Sequence, residues 1–240
     1  SAKSSKHLWV AFAIMTVILA VAPMWVYPVF LMKVMCFALF ASAFNLLLGF
    51  GGLLSFGHAM FMGSAGYVAA HSAKVWGLSP EICVLLGTMT SAVLALVVGL
   101  LAIRRQGLYF AMITLALAQM VFFFCLQVPF TGGEDGIQAV PRGKLFGLID
   151  LEDNFNMYIF VLTIFLMGFL LIWRVIHSPF GQILKAIREH PDRATSLGYD
   201  TDTFKLLAFV ISGALAGTAG ATKSLIFQLV SLTDVHWSMS

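Results

Sequence analysis

The residues of this sequence that could do chemistry gather in two stretches. Residues 178–205 form its one long charged segment, and residues 45–58 combine Asn45, Ser55 and His58 with several glycines. The Lys, Arg, Asp and Glu residues of the charged segment are Lys185, Arg188, Glu189, Asp192, Arg193, Asp200, Asp202 and Lys205. A compact set of both charge signs is suited to a soluble partner. An amide, a hydroxyl and an imidazole beside flexible backbone are suited to a small polar solute.

The sequence lacks the side-chain sets that catalysis or metal binding requires. It has no paired carboxylates, no Ser/His/Asp set, no HExxH motif and no Cys/His cluster at ligand spacing. Cys36, Cys83 and Cys125 lie inside apolar runs, which predicts buried small side chains. Residues 217–224 superficially resemble a phosphate-binding loop, but Thr222 stands where Gly is required. We predict no enzyme activity, no metal site and no cofactor in this chain.

The elements that position these stretches must lie in a membrane. The sequence is 60% hydrophobic and 10% charged, whereas soluble domains have about 25% charged residues. Its net charge of +3 is dispersed, which does not favour nucleic acid as a partner. We predict an all-α, polytopic bundle of transmembrane helices in contact with membrane lipid.

Apolar runs can be counted against the roughly 20 residues that a helix needs to cross the hydrocarbon core. The sequence then predicts about seven spans, near residues 8–22, 34–48, 56–73, 80–103, 108–128, 156–173 and 206–232. Residues 1–240 form a single membrane domain in this interpretation. A polar loop covers residues 129–155, and the charged segment covers residues 178–205.

A helix break is predicted at residues 49–57. Residues 34–73 carry no formal charge, and one helix of that length would be about 60 Å long, twice the core thickness. Gly49, Gly51 and Gly52 each destabilise a helix by about 1 kcal/mol relative to Ala. We favour two passes here, and one broken pass is the alternative.

The positive charges predict an orientation, because Lys and Arg prefer the cytoplasmic side. With seven passes, the cytoplasmic set is Lys3, Lys6, Arg104, Arg105, Arg174, Lys185, Arg188, Arg193 and Lys205. The other side has Lys33, Lys74, Arg142 and Lys144. This distribution predicts a cytoplasmic N-terminus, a cytoplasmic charged segment and an extracytoplasmic loop at residues 129–155.

The helix break is also the best candidate for a substrate path. Unwound backbone inside a membrane is tolerated where protein or a water-filled cavity satisfies its polar groups, and transporters use broken helices in this way. The predicted path residues are Asn45, Gly49, Gly51, Gly52, Ser55 and His58. The alternatives are a re-entrant turn or a close helix contact for the glycines, and a structural, hydrogen-bonded role for His58.

Small residues recur at four-residue spacing in the last apolar run. Gly213, Gly217 and Ala221 follow a GxxxG pattern, which predicts close helix packing. The same run contains Lys223, which we expect to snorkel toward the membrane surface. Since no acidic residue falls inside an apolar run, the sequence does not favour a carrier that couples itself to an ion gradient.

Two short helices are predicted in the charged segment. Residues 180–190 have amphipathic periodicity, with Ile183, Ala186 and Ile187 on the apolar face. Pro191 can begin a second helix and Gly198 can end it. An ordinary polar loop is the alternative. A short amphipathic helix between two spans is well shaped to dock on a partner.

Several blocks of the sequence resemble one family. Residues 45–58 read Asn-Leu-Leu-Leu-Gly-Phe-Gly-Gly-Leu-Leu-Ser-Phe-Gly-His, residues 107–116 read Gly-Leu-Tyr-Phe-Ala-Met-Ile-Thr-Leu-Ala, and residues 131–136 read Thr-Gly-Gly-Glu-Asp-Gly. Further blocks lie at residues 180–189, 192–198 and 205–212. Together they resemble the LivM-like permease subunits of branched-chain amino acid ABC importers.

The resemblance implies a permease subunit that moves branched-chain or related small amino acids across the bacterial inner membrane. It implies a second homologous permease, two cytoplasmic ATP-binding subunits that use ATP and Mg, and a periplasmic substrate-binding protein. A stand-alone secondary transporter or channel for a small polar solute is the alternative that composition allows. Members of the family continue with further spans, so the resemblance also implies that this sequence stops before the family's C-terminal helices.

The resemblance assigns a contact with the ATP-binding subunits. In ABC importers, a cytoplasmic loop with Glu-Ala-Ala, and with Gly four residues later, forms the coupling helix. The matching positions here are Asp192, Arg193, Ala194 and Gly198, and Arg193 departs from the small residue of the pattern. The predicted coupling residues are Phe180, Gly181, Lys185, Arg188, Glu189, Asp192, Arg193, Ala194 and Gly198.

Overall fold

The computed structural model describes residues 2–105 and 107–236, with side chains from residue 10 onward. Its helices are α1 (Ala2–Val21), α2 (Pro28–Asn45), α3 (His58–Lys74), α4 (Pro80–Ala102), α5 (Leu108–Gln127), α6 (Asn154–Ile176), α7 (Pro179–Glu189), α8 (Pro191–Ser196) and α9 (Thr201–Phe227). Its short strands are β1 (Ile137–Gln138), β2 (Lys144–Leu145), β3 (Ile149–Asp150) and β4 (Leu229–Val230). The predicted helical membrane bundle is confirmed.

Five helical stretches are long and apolar enough to cross a membrane: Pro28–Gly51, α4, α5, α6 and α9. A shorter apolar helix covers Val10–Met24. α3 has 17 residues and buries most of them inside the bundle, so it is shorter than the roughly 20 residues of a complete span. The seven predicted spans therefore correspond to seven helices, of which five have the dimensions of a full crossing among the described residues.

The helix break lies where the glycines predicted it. α2 continues as a π-helical turn, Leu46–Gly51, and Gly52 then takes a left-handed conformation with a φ of 66°. Residues 53–57 are not helical, and α3 begins at His58. The start of α2 differs from the prediction, because Pro28 is its first residue and Lys33 lies within it. Proline suits a first helical turn, where its missing N–H costs no hydrogen bond.

α9 is the central helix, and its contacts give the directions of α2 and α3. Ala43 of α2 accepts a hydrogen bond from Ser212, and the Lys33 ammonium lies 5.8 Å from the Phe227 ring centroid. α2 is therefore antiparallel to α9. α3 begins at His58 beside the same Ser212, and its residue Met62 packs against Gly220, further along α9. α2 and α3 run in opposite directions, which agrees with the interpretation of residues 34–73 as two passes.

The other long helices also alternate in direction. For each helix, two contacts near its opposite ends give its direction. In α4, Gly87 lies against Ala221 and Gly99 lies against Phe209 of α9. In α5, Phe110 contacts Phe209 of α9 and Phe122 contacts His236, which follows α9; between α1 and α6, Phe12 contacts Phe169 and Leu19 contacts Tyr158. α4 is antiparallel to α9, α5 is parallel to α9, and α1 is antiparallel to α6.

The helix ends gather on two faces of the bundle. The α7 face carries residues 46–57 and 103–105 together with α7 and α8, and the strand face carries residues 22–27, 75–79, 128–153 and 228–236. On the strand face, β1 pairs with β4 and β2 pairs with β3, both antiparallel. α9 ends at Phe227, five residues before the predicted end of its apolar run, because Gln228 takes a left-handed φ of 55°.

Small residues bring α9 close to its neighbours. Gly213 and Gly217 lie against Ala95 and Ser91 of α4, and the Ser91 hydroxyl donates a 2.5 Å hydrogen bond to the Gly213 carbonyl. Ala221 is fully buried. Close backbone approach and interhelical hydrogen bonds are the main source of helix association within lipid, where no hydrophobic effect acts between helices. The GxxxG face of α9 is thus the surface on which α4 packs.

Candidate functional site

α7 and α8 form a helical pair on the α7 face. Ser178 caps α7 by accepting a 3.4 Å hydrogen bond from the Gly181 amide, and Pro179 occupies the first turn. Pro191 begins α8, and Gly198 follows it with a left-handed φ of 89°. The two helices predicted in the charged segment are confirmed.

The buried side of α7 differs from the predicted one. Gly181, Leu184 and Ile187 are buried, whereas Ile183 is half-buried and Ala186 is exposed, so the predicted apolar residues are divided between the buried side and the outer side of α7. The reason is the close approach of α7 to the end of α6, since a Cβ on Gly181 would lie 2.6 Å from the Val175 carbonyl oxygen. This approach directs the residues that follow Gly181 at three-residue spacing into the bundle.

The outer side of the pair is a shallow groove with apolar walls and a charged rim. Ile183, Ala186 and Leu197 line it together with Glu189 and Arg193. Among the other predicted coupling residues, Lys185, Asp192 and Gly198 are exposed, Ala194 is buried, and the half-buried Phe180 ring stacks on Phe204 at 5.6 Å. An amphipathic groove of this kind is able to hold a helix or loop of a partner.

Arg188 joins this pair to the helix break. Its Nη1 donates a hydrogen bond to the carbonyl oxygen of Gly49, in the π-helical turn. A Cβ on Gly52 would lie 2.5 Å from Arg188 Cγ, so the arginine stem lies directly over a residue that has no side chain. The structure thus brings together two stretches that are separated by more than a hundred residues in the sequence.

The predicted path residues occupy different environments within the break. Asn45 is exposed, and a Cβ on Gly49 would lie 2.9 Å from Asn45 Oδ1. Gly51 and Ser55 are buried. The Ser55 hydroxyl accepts a 3.2 Å hydrogen bond from the Gly57 amide, which helps to turn the chain into α3.

His58 lies at the meeting point of α2, α3 and α9. It is fully buried, and its Nε2 is 2.7 Å from the Ser212 hydroxyl. Ser212 donates its single proton to the Ala43 carbonyl at 2.5 Å, so His58 must donate to Ser212 from Nε2. Aromatic rings surround the imidazole at edge-to-face angles: Phe40, Phe44, Phe61 and Phe209. The histidine therefore links the three helices next to the break.

The start of α9 is capped by an acidic side chain. Asp200 accepts hydrogen bonds from the Thr203 hydroxyl at 2.6 Å and from the Thr203 amide at 3.3 Å. These bonds favour the ionised carboxylate, and they lower the pKa of Asp200. The cap fixes the point at which the chain leaves the α7–α8 pair for the bundle.

An internal ion pair was missed by the sequence analysis. The Lys223 ammonium pairs with Asp234, and both side chains are only 14% exposed; the predicted snorkelling of Lys223 toward the membrane surface stays a prediction. The partner was missed because Asp234 lies outside the apolar run and reaches Lys223 only when the chain folds back after α9. The predicted burial of Cys36, Cys83 and Cys125 is confirmed, and all three are free thiols.

Comparison with known proteins provides the family. A family model described as branched-chain amino acid transport system / permease component matches residues 28–240. The chain belongs to this permease family. The resemblance seen in the sequence blocks is therefore confirmed, and the α7–α8 pair and the helix break are features of a transport permease.

Several curated proteins are similar to this permease. The LivM permease proteins of the high-affinity branched-chain amino acid transport systems of Salmonella typhimurium and Escherichia coli are 29% and 28% identical, over 78% of this chain and 49% of their own. A probable LivH permease protein of Methanocaldococcus jannaschii is 32% identical over 37% of this chain and 27% of its own. The chain spans about half the length of the LivM relatives it matches. No solved structure matches it.

Proposed function

We propose that this chain is a membrane-spanning permease subunit of an ABC importer for branched-chain or related small amino acids. Membership in the permease family supports the proposal, as do the names of the LivM relatives. The observation that carries the proposed mechanism is the contact of Arg188 with Gly49 and Gly52. Through it, a force on α7 and α8 acts directly on the π-helical turn between two antiparallel helices.

The α7–α8 pair is the proposed docking surface for a cytoplasmic ATP-binding subunit. Its groove and charged rim face away from the bundle. ATP and Mg are bound by two such subunits and not by this chain. Binding of ATP draws the pair inward, Arg188 transmits the movement, and the break at residues 46–57 opens or closes the path for the substrate.

The remaining partners follow from the same proposal. A second homologous permease completes the path, and a periplasmic substrate-binding protein delivers the amino acid at the strand face. The chain then lies in the bacterial inner membrane, with its N-terminus and the α7 face in the cytoplasm and residues 129–155 outside. Asn45, Ser55 and His58, with the glycines of the break, line or support the path.

Reconstitution of the complete transporter in vesicles tests this mechanism with Arg188→Glu. Hydrogen bonds of charged groups are worth about 1.5–3 kcal/mol, so we expect leucine uptake to fall by about tenfold or more while ATP hydrolysis continues. Arg105→Glu is the matched control, because it reverses an exposed charge on the same face outside the α7–α8 pair. Normal coupling of hydrolysis to uptake in Arg188→Glu would contradict the proposed role.

Purification distinguishes this proposal from a stand-alone secondary transporter or channel. An ABC permease is expected to co-purify with an ATPase and to take up leucine only when ATP is present inside the proteoliposomes. A stand-alone carrier would bring down no ATPase, and its uptake would follow an ion or solute gradient without ATP. Uptake without ATP would reject the importer.

A further inference from the structure

Lys205 is a buried cation in the first turns of α9. It is only 5% exposed, and it has neither a hydrogen bond nor an ion pair with any residue that the structure describes. The nearby Asp200 carboxylate bonds to Thr203, and Asp202 is exposed. An ammonium that leaves water without a counter-charge is costly, and charged residues inside membrane helices mark functional sites. The mechanism proposed above uses Arg188 and leaves Lys205 without a role.

The neighbours of Lys205 along α9 show where its side chain points. Phe204 packs on α7 and Leu206 packs on α4, so Lys205 points between these two directions. Because seven residues make nearly two turns of a helix, Lys205 lies on the same side of α9 as Ser212. Ser212 contacts α2 and α3, and Lys205 therefore faces the same two helices.

The helix break lies at the level of Lys205. Along α9, Lys205 is about 10 Å from Ser212 in the direction of the α7 face. The antiparallel helix α2 passes Ser212 at Ala43. The same distance along α2 leads to its π-helical turn, Leu46–Gly51. The structure therefore places an unpaired positive charge on the α7 side of the break.

The direction of Lys205 favours a small counter-ion over a side chain of a docked subunit. Thr203 and Leu207 are each two positions away, on the opposite side of α9, and both are exposed. A subunit that docks on the outside of α9 meets these residues and not Lys205. A carboxylate that passes through the break meets Lys205 directly.

We propose that Lys205 binds the carboxylate group of the transported amino acid on the α7 side of the break. This inference rests on the proposed import function and names the group that recognises the substrate carboxylate. The end of α2 beside Lys205 carries the partial negative charge of a helix C-terminus, which attracts the substrate ammonium. The two charges of the amino acid are then recognised by two different groups at the same level of the bundle.

A structural role for Lys205 predicts different behaviour of Lys205→Met. If the end of α2 held the ammonium as part of the fold, its removal would destabilise the protein. A substrate-binding ammonium is unpaired in the empty transporter. Its replacement by an apolar side chain of similar length then leaves the unfolding temperature unchanged or raises it.

Equilibrium binding of radiolabelled leucine and leucinamide to the complete transporter in detergent, without the binding protein, tests the site. Leucinamide has an uncharged amide in place of the carboxylate. In Lys205→Met we expect the leucine Kd to rise about tenfold, the leucinamide Kd to stay unchanged and the unfolding temperature not to fall. Arg104→Met is the matched control, because it removes an exposed positive charge from the same face. The control should keep the wild-type Kd values and unfolding temperature.

Several results would overturn this inference alone. They are an unchanged leucine Kd in Lys205→Met, equal losses of leucine and leucinamide binding with a lower unfolding temperature, and no leucine binding by a wild-type complex that still imports leucine. Loss of a partner subunit during purification of Lys205→Met would also overturn it, since Lys205 would then pair with an acidic side chain of that partner. Failure of the wild-type complex to import leucine with ATP would overturn the proposed function and this inference together.

Discussion

Gly52 shows at the level of one residue why the break and the charged segment depend on each other. Its φ of 66° is left-handed, and its missing side chain leaves the space that the Arg188 stem occupies. Two separate demands therefore fall on this position, one from the backbone and one from the neighbouring helix. Gly77 meets only the first demand, since its φ is 61° and nothing lies within 4 Å of a Cβ built there.

Comparison of Gly52→Ala with Gly77→Ala separates the two demands. Both variants should lose about 1–2 kcal/mol of stability from the left-handed backbone. Gly52→Ala should in addition displace Arg188 and reduce ATP-driven leucine uptake in vesicles. The prediction is contradicted if the two variants couple hydrolysis to uptake equally well.

Individual residues also show where sequence reasoning ends. Local rules were sufficient for Pro191 and Gly198, because a proline at a helix start and a glycine after a helix end act within their own turn. They were insufficient for Lys223, whose partner Asp234 is 11 residues further along the chain. They were also insufficient for Ser212, whose partners His58 and Ala43 lie on other helices. Those partners depend on the chain reversal after α9 and on helix packing, and neither leaves a periodic signal.

At the scale of elements, the packing of α3 on α9 depends on the absence of a side chain at Gly220. A Cβ there would overlap the carbonyl oxygen of Met62, and backbone is unable to move aside. Gly66 lies in the same contact, but a Cβ there would be 3.4 Å from the Gly220 carbonyl oxygen, an ordinary contact. The sequence pattern predicted close packing of α9, but it did not indicate that α3 makes its own close approach to the same helix.

Thermal unfolding of the purified protein distinguishes these two glycines. Gly220→Ala should lose about 1–3 kcal/mol through overpacking. Gly66→Ala should be neutral or more stable by up to about 1 kcal/mol, since alanine favours a helix over glycine. Equal unfolding temperatures for the two variants would show that the overlap at Gly220 does not control the packing.

Helix boundaries were the least accurate part of the sequence prediction. The interiors of α4, α5 and α6 follow from apolar runs whose length matches a membrane. The second span was predicted to begin near residue 34 although Pro28 begins α2, and the final run was extended to residue 232 although α9 ends at Phe227 and Gln228 reverses the chain. Both errors arise because a proline, or a residue with a positive φ, can stand at the end of one element or at the start of the next. Only tertiary packing decides which of the two positions it takes.

For the whole molecule, alternating helix directions divide the connections between two faces. The charged α7–α8 pair lies on one face, and the β2–β3 hairpin lies on the other with Leu148 87% exposed at its tip. The positive-inside rule predicts that the α7 face is cytoplasmic. The proposed import mechanism requires this orientation, because an ATP-binding subunit finds ATP only in the cytoplasm.

Cysteine labelling in intact spheroplasts tests the orientation. Lys185→Cys places a thiol on the α7 face, and Leu148→Cys places one on the strand face. A membrane-impermeant maleimide should label Leu148→Cys in intact spheroplasts and Lys185→Cys only after permeabilisation. The parent protein is the control, since its three cysteines are buried. The reverse pattern would invert the proposed topology.

The pairing of Lys223 with Asp234 also imposes an order on folding in the membrane. The two residues are 11 positions apart, and Asp234 reaches Lys223 only after the chain reverses at Gln228. Until that reversal forms, the ammonium near the end of α9 lacks this counter-ion. A lysine at a helix centre costs about 2.5–3.5 kcal/mol in a membrane, and the position of Lys223 one turn from the end of α9 reduces that cost until the following segment folds back and neutralises the charge.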